Sequence, residues 1–234
     1  MCGRYTFATS PEIAAEFYEL TELPPAQARY NIAPTQSVGT VLFSPENNAR
    51  RWRMMRWGLI PSWSKDKSVG AKMINARSET LATKPAFKSA LQLRRCLIPA
   101  NGFYEWRKEG RVKRPYYISM RDGGPLAFAG LWDRWTSPAG EMIDSCTIIT
   151  TEANEAVRGL HDRMPVILVR GDFQQWLESR ALEDRLFRPF PAEKVQVYPV
   201  SRRVNGTEYD GPECVARDEA RDAGVQSDGL FDLR

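Results

Sequence analysis

The sequence predicts an α+β domain of many short, mostly antiparallel strands flanked by a few short helices. Three observations predict it. Apolar runs of strand length recur along the chain, separated by turns that carry Gly and Pro. Helical periodicity is confined to short stretches with recognisable start signals. No internal repeat, low-complexity block or linker divides roughly the first 200 residues. At 234 residues and 42% hydrophobic, the chain has an ordinary globular composition and enough length to bury a core without disulfide staples.

The elements follow in order. Ser10 is an N-cap candidate with Pro11 at the first helical position, and Ile13, Phe17 and Leu20 fall at helical spacing behind it. A Pro-rich connector runs through Pro24 and Pro25 to NIAPTQ. Ser37 to Phe43 and Arg51 to Gly58 read as strands around the turn SPENNA. WGLIPSWSKD, with Trp57 and Trp63, reads as a loop. NARSETLATKPAFKSALQLRR reads as two short helices broken at Pro85. CLIPANGFYEW, RPYYISM, PLAFAGLW and SCTIITT read as strands, with Asp122-Gly123-Gly124 as one of their turns. A short helix from about Asn154 leads into GLHDRMPVIL. Asp172 is a cap candidate for FQQWLES, and VQVYPV reads as the last strand. The domain is expected to span residues 1–210. From Gly211 to Arg234 the sequence is polar and charged, and is expected to be a loosely attached tail.

Composition excludes several classes. The four cysteines, Cys2, Cys96, Cys146 and Cys214, are widely spaced, and the chain has one histidine, so a structural metal site is not expected. No Walker loop or GxGxxG points to a nucleotide cofactor. No apolar run approaches the ~20 residues of a membrane span, and no signal peptide is apparent. The expected location is cytoplasmic, with reduced thiols. The net charge of +4 and pI of about 8.9 permit a nucleic-acid partner without requiring one.

Cys2 is the first residue with chemistry to offer. Loss of Met1 would leave a cysteine with a free α-amine, a 1,2-aminothiol whose preferred partner is an aldehyde. The amine condenses to a Schiff base, and the thiolate closes on the imine carbon to give a five-membered thiazolidine. Reference pKa values of ~7.7–8.0 for the amine and ~8.5 for the thiol bring both groups near readiness at neutral pH. On position alone, Cys2 is better read as a small residue that merely favours methionine removal.

Glu105 lies in Phe103-Tyr104-Glu105-Trp106. A carboxylate among three aromatics is expected to be partly desolvated, which raises its pKa toward the range useful for proton transfer. Strand alternation offers the opposite reading, with the carboxylate facing solvent. His161, in GLHDRMP, sits in a loop-like setting with an ordinary pKa of ~6.5, suited to acid–base work or equally to a surface histidine. Asn75, in NARSET, has an amide that orients a neighbour without titrating, or caps a helix. Arg4, Arg77 and Arg163 each lie within two residues of one of these positions and carry forks that match phosphates. Trp63 and Trp106 are candidates to stack on unpaired bases. Each of these has a plain structural alternative as a solvated arginine or a core tryptophan.

Seven blocks occur in order: MCGRY, NIAPTQ, MRWGLIPSW, NARSET, RRCLIPANGFYEW, FAGLWD and GLHDRMPVIL. The chain that carries them resembles the SOS-response-associated peptidase family, also described as abasic-site processing proteins, from roughly Cys2 to Leu168. The resemblance implies a compact α+β domain around a curved, barrel-like, mostly antiparallel sheet, acting as a monomer. It implies covalent capture of abasic sites in single-stranded DNA at replication forks, through a Cys2 thiazolidine. By the same resemblance Glu105 is the general acid/base, and Asn75 orients the reacting groups. His161 assists ring opening, reversal and any lyase step. Arg4, Arg77 and Arg163 hold phosphates around a kinked strand. The peptidase label implies removal of the protein's own N-terminal residue.

Two rival functions fit parts of the pattern. One is a papain-like cysteine peptidase on Cys2 and His161, against which Asn75 precedes His161 where such enzymes place it after. The other is a non-covalent single-strand binder, whose affinity would fall steeply with salt. In the tail, Gln226, Leu230 and Phe231 are similar to peptides that dock on the bacterial sliding clamp. The competing readings are chance, or Leu230 and Phe231 folding back on the domain.

Overall fold

The computed structural model describes residues 2–179 and 181–219. The chain forms β1 (Tyr5–Phe7), α1 (Pro11–Tyr18), β2 (Arg29–Ile32), β3 (Ser37–Ser44), β4 (Ala49–Trp57), β5 (Asn75–Arg77), α2 (Pro85–Leu93), β6 (Arg95–Ala100), β7 (Gly102–Glu109), β8 (Val112–Met120), β9 (Leu126–Thr136), β10 (Met142–Glu152), α3 (Glu155–Arg158), β11 (Arg163–Pro165), β12 (Ile167–Leu168), α4 (Phe173–Glu178) and β13 (Val195–Pro199). This is the expected α+β class. The strands β4, β3, β6, β9 and β10 close on themselves, because β10 pairs with β9 on one edge and in parallel with β4 on the other. The result is a closed mixed barrel. A second sheet runs in the order β13-β8-β7-β1-β2. Among the described residues, no helix is long and apolar enough to cross a membrane.

The two sheets are joined where β6 becomes β7. Asn101 sits at that corner, and its Oδ1 accepts the Ala8 amide at 2.6 Å while its own amide bonds the Thr6 carbonyl at 2.8 Å. The run CLIPANGFYEW, expected as one strand, is therefore two. The first lies in the barrel and the second in the five-stranded sheet.

Alternation along β7 sorts its side chains between two cores. Phe103 joins the main cluster with Cys2, Trp57, Phe128 and Ile118, whereas Tyr104 and Trp106 pack with Tyr117, Tyr198, Val204 and Cys214. Each large apolar side chain so buried contributes about 1.5–3 kcal/mol. Neither face of β7 near Glu105 is open to solvent.

Tertiary pairing overrides local propensity in several places. NARSET was expected to begin a helix. Instead, Asn75–Arg77 pairs in parallel with β10, and a single 3₁₀ turn, Ser78–Thr80, follows. The edge of β10 offers backbone partners that an isolated helix start could not match. The opening residues and the connector that runs to NIAPTQ, read without strands, supply β1 and β2. Ser10 does cap α1, accepting the Ile13 amide, but the helix buries Ala14 and Tyr18 and leaves Ile13 54% exposed. Asp172 makes no side-chain cap and instead pairs with Arg185. The tail was expected to detach at Gly211, yet Cys214 is fully buried, the Asp218 amide bonds the Pro199 carbonyl at 3.0 Å, and Arg217 lies 4.0 Å over the Tyr198 ring. The clamp-like residues Gln226, Leu230 and Phe231 lie outside the described residues.

Gly58 ends β4 and aims the chain into the Trp63 loop with φ +126°, and a Cβ there would come 2.5 Å from the Gly70 carbonyl oxygen. Strain and overlap both oppose any side chain at this position. Gly58→Ala is expected to destabilise the fold by about 2–4 kcal/mol. Denaturant unfolding checks this, and a loss below about 0.5 kcal/mol would contradict it.

Candidate functional site

The N-terminal segment enters the molecule between the two sheets. Beyond β1, the Arg4 carbonyl accepts the Tyr104 amide at 3.0 Å, which continues the ladder toward Cys2. From the other side, Asn75 Nδ2 donates to the Cys2 carbonyl at 2.8 Å. Asn75 is held there by pairing of β5 with β10, and by Trp57 on β4, whose buried indole N–H donates to the Ile74 carbonyl at 2.9 Å. Asn75 Oδ1 is itself buried without a partner among the described residues.

Cys2 is fully buried, and its thiol makes a weak 3.9 Å contact to the Arg4 carbonyl. Burial raises the thiol pKa far above its ordinary value, and the charge of Glu105 raises it further. The resting sulfur is therefore a thiol.

Glu105 is 4% exposed and stands opposite Tyr116 on β8. Burial moves its pKa from 4.5 up to about 7. Of the three flanking aromatics, only Phe103 shares the Glu105 face of β7. By strand alternation, Tyr104 and Trp106 point to the opposite face, and the Glu105 side chain enters the interior between the sheets. At neutral pH the carboxyl is thus divided between acid and base forms.

His161 follows α3, its amide bonded to the Val157 carbonyl at 3.1 Å. Its Nδ1 accepts the Arg163 amide at 2.9 Å and lies 2.7 Å from Asp162 Oδ1. These contacts require different states of Nδ1: bare in the first, protonated in the second. Burial lowers the imidazole pKa from 6.5, and Asp162 is 83% exposed to competing water. The neutral ring with its proton on Nε2 therefore prevails at neutral pH. The charge of Asp162 adds to the upward shift of Glu105.

The arginines divide. Arg163 is 9% exposed and grips the Glu79 carboxylate at 2.6 and 3.0 Å, with the Thr150 carbonyl at 2.6 Å. That fork is committed to holding β11, not to a phosphate. Arg4 is half-buried and donates from Nη1 to Asn31 Oδ1 at 2.6 Å and to the Val204 carbonyl at 2.8 Å. Arg77, by contrast, is exposed. Of the tryptophans, Trp63 is 64% exposed, as a stacking surface requires. Trp106 is partly buried beneath Arg4 at 5.9 Å, and its indole donates to Asn205 Oδ1 at 2.7 Å.

Cys2 and Asn75 thus meet through a hydrogen bond, the charge of Glu105 acts on Cys2, and Arg4 lies over Trp106. Asn31, Glu79 and Asp210 were missed by sequence reasoning. Asn31 and Glu79 lie in quoted blocks, but their partners Arg4 and Arg163 are 27 and 84 positions away, beyond any local pattern.

The comparisons with known proteins point one way. Residues 1–207 match the profile of a family described as SOS response associated peptidase. The chain is 40% identical over 223 residues to the abasic site processing protein YoqW of Bacillus subtilis, covering 92% of this chain and 99% of that protein. It is 36% identical over 222 residues to the chicken abasic site processing protein HMCES (Gallus gallus), covering 80% of this chain and 65% of that protein. A crystal structure from Bacteroides thetaiotaomicron superposes with a TM-score of 0.81 at 27% identity, over 92% of this chain and 99% of that one. One from Bordetella bronchiseptica does so at 0.74 and 30%, over 86% and 100%.

The raised pKa of Glu105 carries a stability consequence. The folded state holds this proton more tightly than the unfolded chain, so the ionised carboxylate costs stability. That cost grows as pH rises from 4.5 to about 7 and is constant above. Glu105→Gln is expected to remove this pH dependence and to stabilise the fold at pH ~8 by up to about 3 kcal/mol. Denaturant titrations at pH ~5 and ~8 check it, and equal destabilisation at both would refute the assignment.

Proposed function

The chain belongs to the SOS response associated peptidase family, and from that premise we propose that its Cys2, once Met1 is removed, captures the open-ring aldehyde of an abasic site in single-stranded DNA. The observation that carries this reading is Glu105, a buried carboxyl beside Cys2 with a pKa of about 7. Both its acid and its base form are present at neutral pH, and the condensation needs both.

The Cys2 amine adds to the aldehyde carbon to give a carbinolamine. Glu105 gives its proton to the departing hydroxyl, which leaves as water, and an iminium remains. The Glu105 carboxylate then takes the thiol proton, and the thiolate adds to the iminium carbon. The product is a thiazolidine whose ring nitrogen keeps one hydrogen, and Glu105 is an acid again. One water is lost overall.

The buried thiol supports this order. A sulfur held protonated by burial is a poor first nucleophile, so the amine attacks first and the imine then draws the sulfur in. Asn75 holds the Cys2 carbonyl, which fixes the amine and thiol relative to the sheets. His161, neutral at neutral pH, is the base for ring reversal and for any strand-cleaving elimination. Arg77 and the exposed Trp63 serve the flanking strand, through a phosphate and an unpaired base.

The test mixes protein of verified N-terminus with a single-stranded oligonucleotide carrying one abasic site, followed by denaturing electrophoresis and mass spectrometry. The expected species weighs protein plus DNA minus one water. Cys2→Ala, or a retained Met1, is expected to abolish it. Glu105→Gln is expected to slow it about 10²–10⁴-fold. No denaturant-resistant species from folded protein with a free Cys2 would overturn the proposal. Salt-sensitive binding alone would then favour a non-covalent single-strand binder.

A further inference from the structure

The first residues are tied to a distant part of the chain by one buried amide. Asn31 on β2 is fully buried. Its Oδ1 accepts Arg4 Nη1 at 2.6 Å, and its Nδ2 donates to the carbonyls of Gly206 and Tyr209 at 2.7 and 2.6 Å. Arg4 Nη1 also reaches the Val204 carbonyl at 2.8 Å. Asp210 closes the arrangement by accepting the Tyr30 and Asn31 amides at 2.5 and 2.6 Å and pairing with Arg29. The loop from Val204 to Asp210 is thereby laced to β2, with the Arg4 guanidinium held between.

A guanidinium presents two edges. Here Nη1 is consumed by Asn31 and Val204, while Nε is buried with no hydrogen-bond partner among the described residues. The Nε–Nη2 edge is the fork that matches two oxygens of a phosphate. Trp106 lies under the same guanidinium and is fixed by Asn205 of the same loop. The nearby carboxylate of Glu208, whose charge reaches Arg4, is on an exposed residue. Asp210 lies beyond residues 1–207, where the family match ends.

We propose that Asn31 and Asp210 are positioning residues that aim the Nε–Nη2 edge of Arg4 at a phosphate of the lesion-bearing strand. The proposal rests on the reading of Cys2 as the capture residue, two positions from Arg4. Arg4 then both anchors the N-terminal segment and touches the nucleic acid, and the Val204–Asp210 loop becomes part of the site.

Asn31→Ala and Asp210→Ala test it in the full chain with Met1 removed. Two oligonucleotides are used, one with a reactive abasic site and one with a reduced abasic analogue that has no aldehyde. Asn31→Ala is expected to weaken equilibrium binding of the analogue about tenfold or more, and to lower the slope of log affinity against log salt by about 0.7. Asp210→Ala is expected to shift both in the same direction by less. Thiazolidine formation with formaldehyde, which needs no phosphate contact, is expected to fall by less than the affinity for the analogue in both variants. Folded variants with wild-type affinity and salt slope for the analogue would overturn the proposal, and Asp210→Ala decides alone if Asn31→Ala does not fold. A loss of formaldehyde reactivity equal to the loss of DNA binding would also overturn it, as general damage to the site. Failure of the wild type to form an adduct with the reactive strand would remove the capture reading, while the analogue still reports on Arg4.

Discussion

The arrangement of the site depends on one constraint: the end of the chain is clamped between two sheets. The Cys2 carbonyl accepts the Asn75 amide from the β10 side, and the Arg4 carbonyl accepts the Tyr104 amide from β7. Chain termini are ordinarily the least ordered part of a domain. Here the backbone of the first residues is bonded from both sides and the Cys2 side chain is fully buried, so the segment that carries the thiol is ordered. For a reaction that joins two nucleophilic atoms to one carbon, that prior ordering lowers the entropic part of the barrier.

The same enclosure sets the chemistry of the neighbouring groups. Burial between the sheets raises both the Cys2 thiol and the Glu105 carboxyl, and their mutual charge opposes simultaneous ionisation. A carboxyl brought to about 7 is unfavourable for the fold and favourable for proton transfer at neutral pH. The surroundings offset the cost. The Arg163–Glu79 pair fastens β11 and the His161 loop, and the aromatic cluster of Tyr104, Tyr117 and Tyr198 supports the back of β7.

Much of the fold was legible because it rests on local rules. Ser10 and Asn154 cap their helices, Pro85 starts α2, and the runs ending at Phe43 and Gly58 form the expected hairpin. Strand β5 was not legible, since a segment of three residues becomes a strand only by lying against β10. The same holds for Arg163. Its position beside His161 suggested a phosphate contact, and only the fold reveals that Glu79 fills its fork. The polar composition after Gly211 suggested detachment, but Cys214 and Arg217 find an apolar pocket and an aromatic face in the second core.

The repertoire could be read from the residues alone: an aminothiol precursor at position 2, one histidine, one carboxylate set among aromatics, and a strand-rich domain to carry them. Alternation and capping act over a few residues, so those features can be read from neighbours alone. Which of these groups meet was set by the folded arrangement of the sheets. It placed Glu105 on the Cys2 face of β7, brought Asn75 to the Cys2 carbonyl across 73 positions, and turned Arg4 toward Asn31 and Val204. Those choices depend on sheet register and on which polar groups find partners once water is excluded, and neither is encoded in any local stretch of the chain.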